Sequence, residues 1–483
     1  MSRFNAHKST TNKTLNRAGQ EAYVMTPELE LVSILISSFI QDQFYRREDE
    51  TITELLDAVD KVDPYFAAQA AVYARRTLGM RSTSHIVAAK IAHDVKGEEW
   101  TKDFLAKVVQ RPDDMTEILA FFKGNGGGPV PNSMKKAFRE RLRGFNEYKL
   151  AKYQGKRKEF SMVDLVNLVH PQPTEAIDKL MNGTLATPDT WETKLSAAGK
   201  SEDVEAEKQE AWRDLILEEK IGYLALLRNL RNILEQAPDA AGKAAMMLQD
   251  RERVLNSQIF PFQFYNAYRE LANIELENSN EMRTAISRAL DASTENLPRF
   301  EGKTLVAIDT SGSMDQGLNE RGTATVAETA LVLGASLAKA QKADVVLFAS
   351  DAGYYNANFD DSTLTLVKDM YREGDQYGYG TNLNRVFDEV REKGRAYDRI
   401  FVLSDMQTWM AHIAAQSDFE LYKKEAGVNP LLYSWDLTGY GSLQFPERNV
   451  VTIGGFSNKI FDLLPLAEKD KEVLINEVKQ TQF

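Results

Sequence analysis

Apolar residues recur at three- and four-residue intervals through most of the first 300 positions, the period of one helix face. Segments 29–45 (LELVSILISSFIQDQFY), 64–78 (PYFAAQAAVYARRTL) and 213–235 (RDLILEEKIGYLALLRNLRNILE) each read as a helix; in the last, Ile221, Leu224, Leu227 and Leu230 form a stripe. β-branched alternation is scarce there. Many helices with short connections predict paired, stacked helices in an α-solenoid, although no repeat of fixed length supports it. Two stretches interrupt the pattern. KGNGGGPVPN (123–132) holds four glycines and two prolines and reads as a loop. GKSEDVEAEKQE (199–210) is acidic and reads as a solvated helix start or insertion.

The period changes near 294–303 (TENLPRFEGK). Strands are predicted at 304–311 (TLVAIDTS), 343–350 (ADVVLFAS), 399–405 (RIFVLSD), 431–437 (LLYSWDL) and 450–456 (VVTIGGF). Helices are expected near 323–342, 382–394 and 415–426, with a last one at 458–479. These strands are too apolar for a sheet with one wet face. Their alternation with helices predicts a mostly parallel, doubly wound, Rossmann-like α/β sheet.

Composition narrows the function. The 483 residues include no cysteine, which removes disulfides, thiolate metal sites and a catalytic thiol. No apolar run is long enough for a membrane span, and MSRFNAHKSTTNKTLNR lacks the apolar core of a signal peptide, so a cytoplasmic protein is expected. The net charge of −12 is unevenly spread. Residues 1–300 carry 41 Lys and Arg against 44 Asp and Glu, and the remainder carries 18 against 27. Within 131–160 there are 10 basic and 3 acidic residues. Screening confines each charge to about 8–10 Å, so acidity elsewhere does not cancel that patch.

Two segments carry chemistry. The first is Asp309-Thr-Ser311-Gly-Ser313, directly after a predicted strand. One carboxylate and two hydroxyls on alternate residues of a turn can aim three oxygens at a hard cation such as Mg²⁺. Thr381, in Gly378-Tyr-Gly380-Thr381, and Asp405, at a strand end, supply further oxygens. Asp-x-Ser alone also fits a capped turn. The second segment is 131–173. On a helix from Pro131, Lys135, Arg139, Leu142 and Arg143 are spaced at i, i+4, i+7 and i+8, and Lys136 shares a face with Arg143. Lys149, Lys152, Lys156, Arg157 and Lys158 extend the charge, with Tyr148 and Tyr153 interleaved. Phosphate contact with base stacking, or an ordinary solvated face, fits this pattern. His170, before Pro171, is ambiguous, a lone histidine being more often a satisfied core or capping residue than a functional contact. Arg228 and Arg231 lie three apart and fit phosphate contact or helix-pair packing equally. The GNGGG loop lacks the Lys-Ser/Thr of a nucleotide P-loop. No nucleophile–base pair stands out, so no enzyme is expected. The five histidines show no metal spacing, and Asp113-Asp114 reads as a solvated turn.

The Asp-Thr-Ser-Gly-Ser motif with the later Thr and Asp resembles the metal-ion-dependent adhesion site of von Willebrand factor A domains, over 303–483. The resemblance implies that Asp309, Ser311 and Ser313 bind the ion, Thr381 directly or through its loop, and Asp405 directly or through water. It also implies a vacant position for an acidic group of a partner. Asn382 stands where relatives often have Asp. The helical part, 1–298, resembles the TROVE module through NRAGQEAY (16–23), QDQFYRREDET (41–51), GMRSTSH (79–85), MKKAFRERLRGFNEYKLAKY (134–153), LVNLVHPQP (165–173), WETKLSAAG (191–199), YLALLRNLRNI (223–233) and PFQFYNAY (261–268). The whole chain is similar to Ro autoantigen-like proteins of bacterial type. That resemblance implies a ring of HEAT-like helical repeats followed by the A domain. It further implies binding of small noncoding Y-like RNAs on a basic outer face and of single-stranded ends of misfolded RNAs in the hole. Ribonucleoprotein assembly, RNA quality control and an exoribonuclease tethered through RNA are its further implications. Lys135, Lys136 and His170 fall in the family's RNA-contacting segment. Arg139, Arg143, Lys149 and Lys152 are their neighbours by helix geometry, and Arg81 and His85 are further RNA-contact candidates. A metal-dependent protein–protein adaptor is the alternative. A nuclease needs more clustered carboxylates than these two.

Overall fold

The computed structural model describes residues 13–15, 21–37, 48–154, 159–188, 190–200, 203–317, 324–408, 415–438, 442–445, 450–454, 460–468 and 473–483. The chain divides into two compact units, one of residues 27–40, 47–193 and 474–483, the other of residues 1–26, 41–46 and 194–473.

The first unit is helical. Four of its described helices start where a side chain supplies a missing acceptor of the helix N-terminus. Asp63 accepts from the amides of Tyr65 and Phe66 ahead of helix Pro64–Arg76, and Ser161 with Asp164 forms a capping box for Met162–Val169. The stacking is HEAT-like: each helix packs on its neighbour but one. Pro64–Arg76 lies on Trp100–Val108, which lies on Asn132–Arg143, which lies on Met162–Val169. A second layer runs Glu48–Asp60, Ser82–Asp94, Pro112–Gly124. Phe104, Leu119, Phe138 and Leu165 of these helices are buried, each contributing roughly 2–3 kcal/mol of apolar burial. The last residues of the chain belong to this unit. Gln69 Nε2 donates to the carbonyls of Lys479 and Thr481 at 2.7 and 3.1 Å, and the Phe483 ring packs against Tyr65, Trp100 and Phe104.

The glycine loop after Pro112–Gly124 is a helix cap. The Gly126 and Gly127 amides donate to the carbonyls of Lys123 and Phe122. Gly126 has φ +74°, and a Cβ at Gly127 would lie 2.3 Å from the Phe122 carbonyl oxygen. The Asn125 amide is likewise engaged, on the Phe121 carbonyl.

The second unit holds helices from Val204–Leu217 to Ser279–Ser293, followed by a mixed α/β sheet. Strand order is Ala352–Tyr355, Asp344–Phe348, Thr304–Asp309, Arg399–Ser404, Leu431–Asp436, Val450–Gly454. All pairs are parallel except the first, whose edge strand is antiparallel. That strand and helix Thr363–Gly374 have no counterpart in the sequence reading, being short and half-exposed or lying in a polar stretch. Leu305, Ala307, Val346 and Val402 pack on Val386, Phe387, Phe419 and Tyr422. The small sheet Lys13–Leu15, Glu21–Val24, Ser442–Leu443 is antiparallel.

Two expected helices are broken. The span 213–235 contains the end of Val204–Leu217 and the separate helices Tyr223–Arg228 and Leu230–Gln236. Glu219 takes a left-handed conformation (φ 55°), and the Lys220 amide returns to the Leu215 carbonyl, which closes the first helix. Glu219 tolerates this because Lys243 and Arg253 hold its carboxylate. Leu224 therefore leaves the stripe and is 38% exposed. The expected helix 458–479 is found as Ile460–Ala467 and Val473–Gln480. Helix Pro27–Ser37 represents 29–45, whose remainder lies outside the described residues. So do 16–20 and 41–47 of the family-like segments, and Lys156, Arg157 and Lys158.

Candidate metal centre and nucleic-acid interface

Strands Thr304–Asp309 and Arg399–Ser404 are adjacent and parallel, and chain order reverses between them. Their carboxyl ends therefore open into a crevice where loops diverge. Asp309 ends one strand, Ser311 and Ser313 follow in the turn, and Asp405 follows the other strand. Asp309, Ser311 and Asp405 are fully buried, and Ser313 and Thr381 nearly so. Thr381 Oγ1 donates to Ser311 Oγ at 2.9 Å, and Ser311 Oγ is 3.4 Å from Ser313 Oγ. Asp309 accepts the Ser311 amide at 2.9 Å on one oxygen and the Ser404 hydroxyl on the other. Ser404 was missed in the sequence; only strand pairing shows it facing Asp309.

The Thr381 loop is pinned from outside. Gly378 has φ +85°, and a Cβ there would sit 3.0 Å from Ser350 Oγ, which accepts the Gly380 amide at 2.8 Å. The Gly312 amide donates to the Tyr379 carbonyl at 2.9 Å, joining the two loops.

Burial pushes both carboxyls above their ordinary range, and at Asp405 the nearby Asp309 charge adds to it. Asp405 Oδ1 accepts the Gln407 amide at 3.0 Å, whereas Oδ2 is buried with no hydrogen-bond partner among the described residues. Two buried carboxylates with one orphaned oxygen, together with the hydroxyls of Ser311, Ser313, Thr381 and Ser404, form an oxygen-only donor set short of a positive charge.

The basic segment forms helix Asn132–Arg143, then helix Glu147–Lys152, capped by Asn146. Met134, Ala137, Phe138 and Leu142 are buried. At about 100° per residue, Lys135, Arg139, Arg143 and Lys136 fill an arc of roughly 100° on the opposite side. The acids of these helices are engaged elsewhere: Glu140 with Lys102 at 3.0 Å and Glu147 with Lys179 at 2.7 Å. Lys135, Lys136 and Arg143 carry no ion pair to a described carboxylate. The Lys149 ammonium lies 5.7 Å from the Phe145 ring, and Lys152 reaches Glu192 only at 3.7 Å. Arg139 Nε donates to the Val169 carbonyl at 2.8 Å, which holds the end of helix Met162–Val169 against the basic helix. The next residue, His170, is exposed in a left-handed conformation (φ 46°).

Arg81 and His85 lie apart from this face. His85 is 3% exposed, with Nε2 3.3 Å from Asp114 and Nδ1 3.0 Å from Glu117. Arg81 bonds Asp113, Asp114 and Glu117. The expected solvated turn at Asp113-Asp114 is thus corrected: Asp113 is 6% exposed and Asp114 fully buried. Arg75 Nη2 meets Asp114 at 2.7 Å, and the Gln110 and Arg111 amides donate to it. Burial opposes the Asp114 charge, but His85, Arg75 and those amides more than offset it, holding its carboxyl well below the usual range. His85, Asp114 and Glu117 bring three ligand atoms within 4.8 Å of one another, a group able to hold a divalent ion. Two guanidiniums already serve its carboxylates.

Against known proteins, the model of the TROVE domain matches residues 7–184 and 178–333, and that of the Ro60 vWA domain matches residues 303–465. Telomerase protein component 1 of Rattus norvegicus is 22% identical over 317 residues, 47% of this chain and 12% of that protein's length. The Mus musculus protein of the same name gives the same identity and coverage. This chain therefore spans a small part of those relatives. The crystal structure of the Deinococcus radiodurans RO (RSR) protein superposes with a TM-score of 0.63 at 17% identity, covering 94% of this chain and all of that one, which shows a shared fold. With more than half of its length matched by that family's model, the chain belongs to the TROVE family.

Proposed function

We propose that this protein is an RNA-binding component of a ribonucleoprotein, without catalytic activity of its own. It binds small noncoding Y-like RNAs on the basic face and single-stranded ends of misfolded structured RNAs in the hole of a helical ring. It acts in RNA quality control in the cytoplasm, with an exoribonuclease tethered through the RNA. Among the described residues no helix is long and apolar enough to cross a membrane. The observation that carries the reading is the stripe Lys135, Lys136, Arg139 and Arg143 beside His170, whose neighbouring acids are neutralised by other lysines. Cations left without carboxylates are available to phosphates, and affinity from them is salt-dependent and weakly sequence-specific. Lys149 and Lys152 extend the face; Arg81 and His85 reach RNA only if their carboxylate partners release them. Sequencing RNA that copurifies with the protein is expected to return structured noncoding RNAs, and binding of a hairpin with a frayed 3′ end should be tight at 50 mM salt. No affinity for any structured or frayed RNA at that salt would overturn the reading.

We further propose that the A domain, a doubly wound sheet, holds a divalent cation, Mg²⁺ by its oxygen-only donors. Asp309, Ser311 and Ser313 hold it, with Thr381 and Asp405 directly or through water. Bound there, the cation offers a Lewis-acidic position to an acidic group of a partner, the adaptor role. The orphaned Asp405 Oδ2 supports this site, and Asn382, uncharged, makes it weaker than an Asp would. Asp309→Ala is expected to lower Mn²⁺ affinity more than about tenfold while RNA affinity stays within about twofold. Equal Mn²⁺ binding by wild type and variant would remove the site.

A further inference from the structure

Helix Pro261–Leu271, PFQFYNAYREL, carries two polar residues one turn apart that neither reading above uses. Tyr265 is 8% exposed, and its hydroxyl donates to Glu328 at 3.0 Å. Arg269 Nη1 donates to the same carboxylate oxygen. Glu328 is itself buried, at 5% exposure, and sits in the first turn of helix Val326–Gln341. Its other oxygen accepts the Thr325 amide at 3.0 Å, and its amide donates to Thr325 Oγ1 at 3.1 Å. A capping box asks only for that reciprocal pair, which solvent-exposed side chains provide. Here the glutamate is desolvated, and a cation and a phenol from another helix restore the lost interactions.

The capping residue, Thr325, touches the loop that carries Ser311 and Ser313. Thr325 bridges Gly317, and the Val326 amide donates to the Gln316 carbonyl at 2.9 Å. Gln316 Nε2 donates to the Ser313 carbonyl at 3.1 Å, and the Met314 amide returns to the Ser311 carbonyl at 3.0 Å. Hydrogen bonds and adjacent residues thus lead from Tyr265 and Arg269 through Glu328, Thr325 and Gln316 to Ser313, all within one compact unit.

We infer that Tyr265 and Arg269 are positioning residues for the metal loop. By fixing Glu328 they set where helix Val326–Gln341 begins, and so where Ser313 holds its hydroxyl. A helix of the TROVE-matched region and the occupancy of the A-domain site are then linked, and each biases the other by the same factor. The metal half of this inference rests on the cation reading above; the loop half does not.

The test uses the full chain as wild type, Arg269→Met, Arg269→Lys and Tyr265→Phe. Free Mn²⁺ is titrated by electron paramagnetic resonance, and amide exchange of 311–317 and 324–329 is followed in metal-free protein. Arg269→Met is expected to weaken Mn²⁺ binding about five- to twentyfold and Tyr265→Phe about two- to fivefold, with Arg269→Lys within about twofold of wild type. Exchange in both segments should quicken in the same order. Arg269→Met that folds and keeps wild-type Mn²⁺ affinity and wild-type exchange overturns the inference. Were wild type to bind no Mn²⁺, the cation reading would fail, and exchange alone would decide the link. If Arg269→Met does not fold, Tyr265→Phe, which deletes a single hydroxyl, decides it by the same two measurements.

Discussion

Replacing Lys135, Lys136 and Arg143 together by glutamine is expected to weaken binding of a Y-like RNA on the order of a hundredfold at ~0.1 M salt. Each phosphate contact contributes about 0.7–0.9 to the slope of log affinity against log salt, so three contribute about 2–3. At one decade below molar salt, that slope corresponds to roughly two decades of affinity. The variant should therefore converge on wild type as salt rises. Arg139 is left out because its Nε also holds the Val169 carbonyl, and its loss would disturb His170 as well as remove a charge. Glutamine keeps most of the aliphatic stem and the helix propensity, so circular dichroism should not change. The measurement is filter binding or anisotropy across salt from ~50 to 500 mM. An unchanged slope means these cations are a solvated face and RNA binds elsewhere.

This stripe was legible because helix period and charge are both local. Buried Met134, Phe138 and Leu142 fix the rotation of the helix, and that rotation turns the cations outward. What the sequence could not show was which cations stay unpaired. Glu140 lies one residue from Arg139, yet its partner is Lys102; Glu147 lies two residues from Lys149, yet its partner is Lys179. The Asp309 turn was legible for the same reason: carboxylate, two hydroxyls and the preceding strand are consecutive. Ser404, which donates to Asp309 from the neighbouring strand, is set by sheet register across 95 positions. The break at Glu219 escaped because its left-handed backbone is tolerated through Lys243 and Arg253, both distant in sequence. Asp113-Asp114 misled most, because adjacent acids usually mark a solvated turn. Their compensating charges come from Arg111 beside them and from Arg75 and Arg81, more than thirty positions earlier.

That buried network sets the largest stability effect expected in the chain. Asp114 is fully buried and meets Arg75 at 2.7 Å, Arg81 at 3.1 Å and His85 at 3.3 Å, with the Gln110 and Arg111 amides completing its shell. Asp114→Ala removes the negative charge and leaves the Arg75 guanidinium, 5% exposed, without it. Breaking a buried pair from one side costs about 3–5 kcal/mol, because the surviving charge is neither solvated nor balanced. Asp114 joins helix Pro112–Gly124 to Pro64–Arg76, so the cost should appear as cooperative loss of the helical unit, not as local fraying. Asp114→Asn, which keeps the shape, should recover only part of the loss. The sign of the pH effect follows from the depressed carboxyl. Its contribution is fully present above the unfolded pKa of about 4 and falls away as pH drops below it. In urea titrations the wild-type advantage over Asp114→Asn should then shrink from pH 6 to pH 3. A deficit under about 1 kcal/mol for Asp114→Ala at pH 7, or an advantage that does not change with pH, would show that the arginines find other acceptors and that the network is not what ties these helices together.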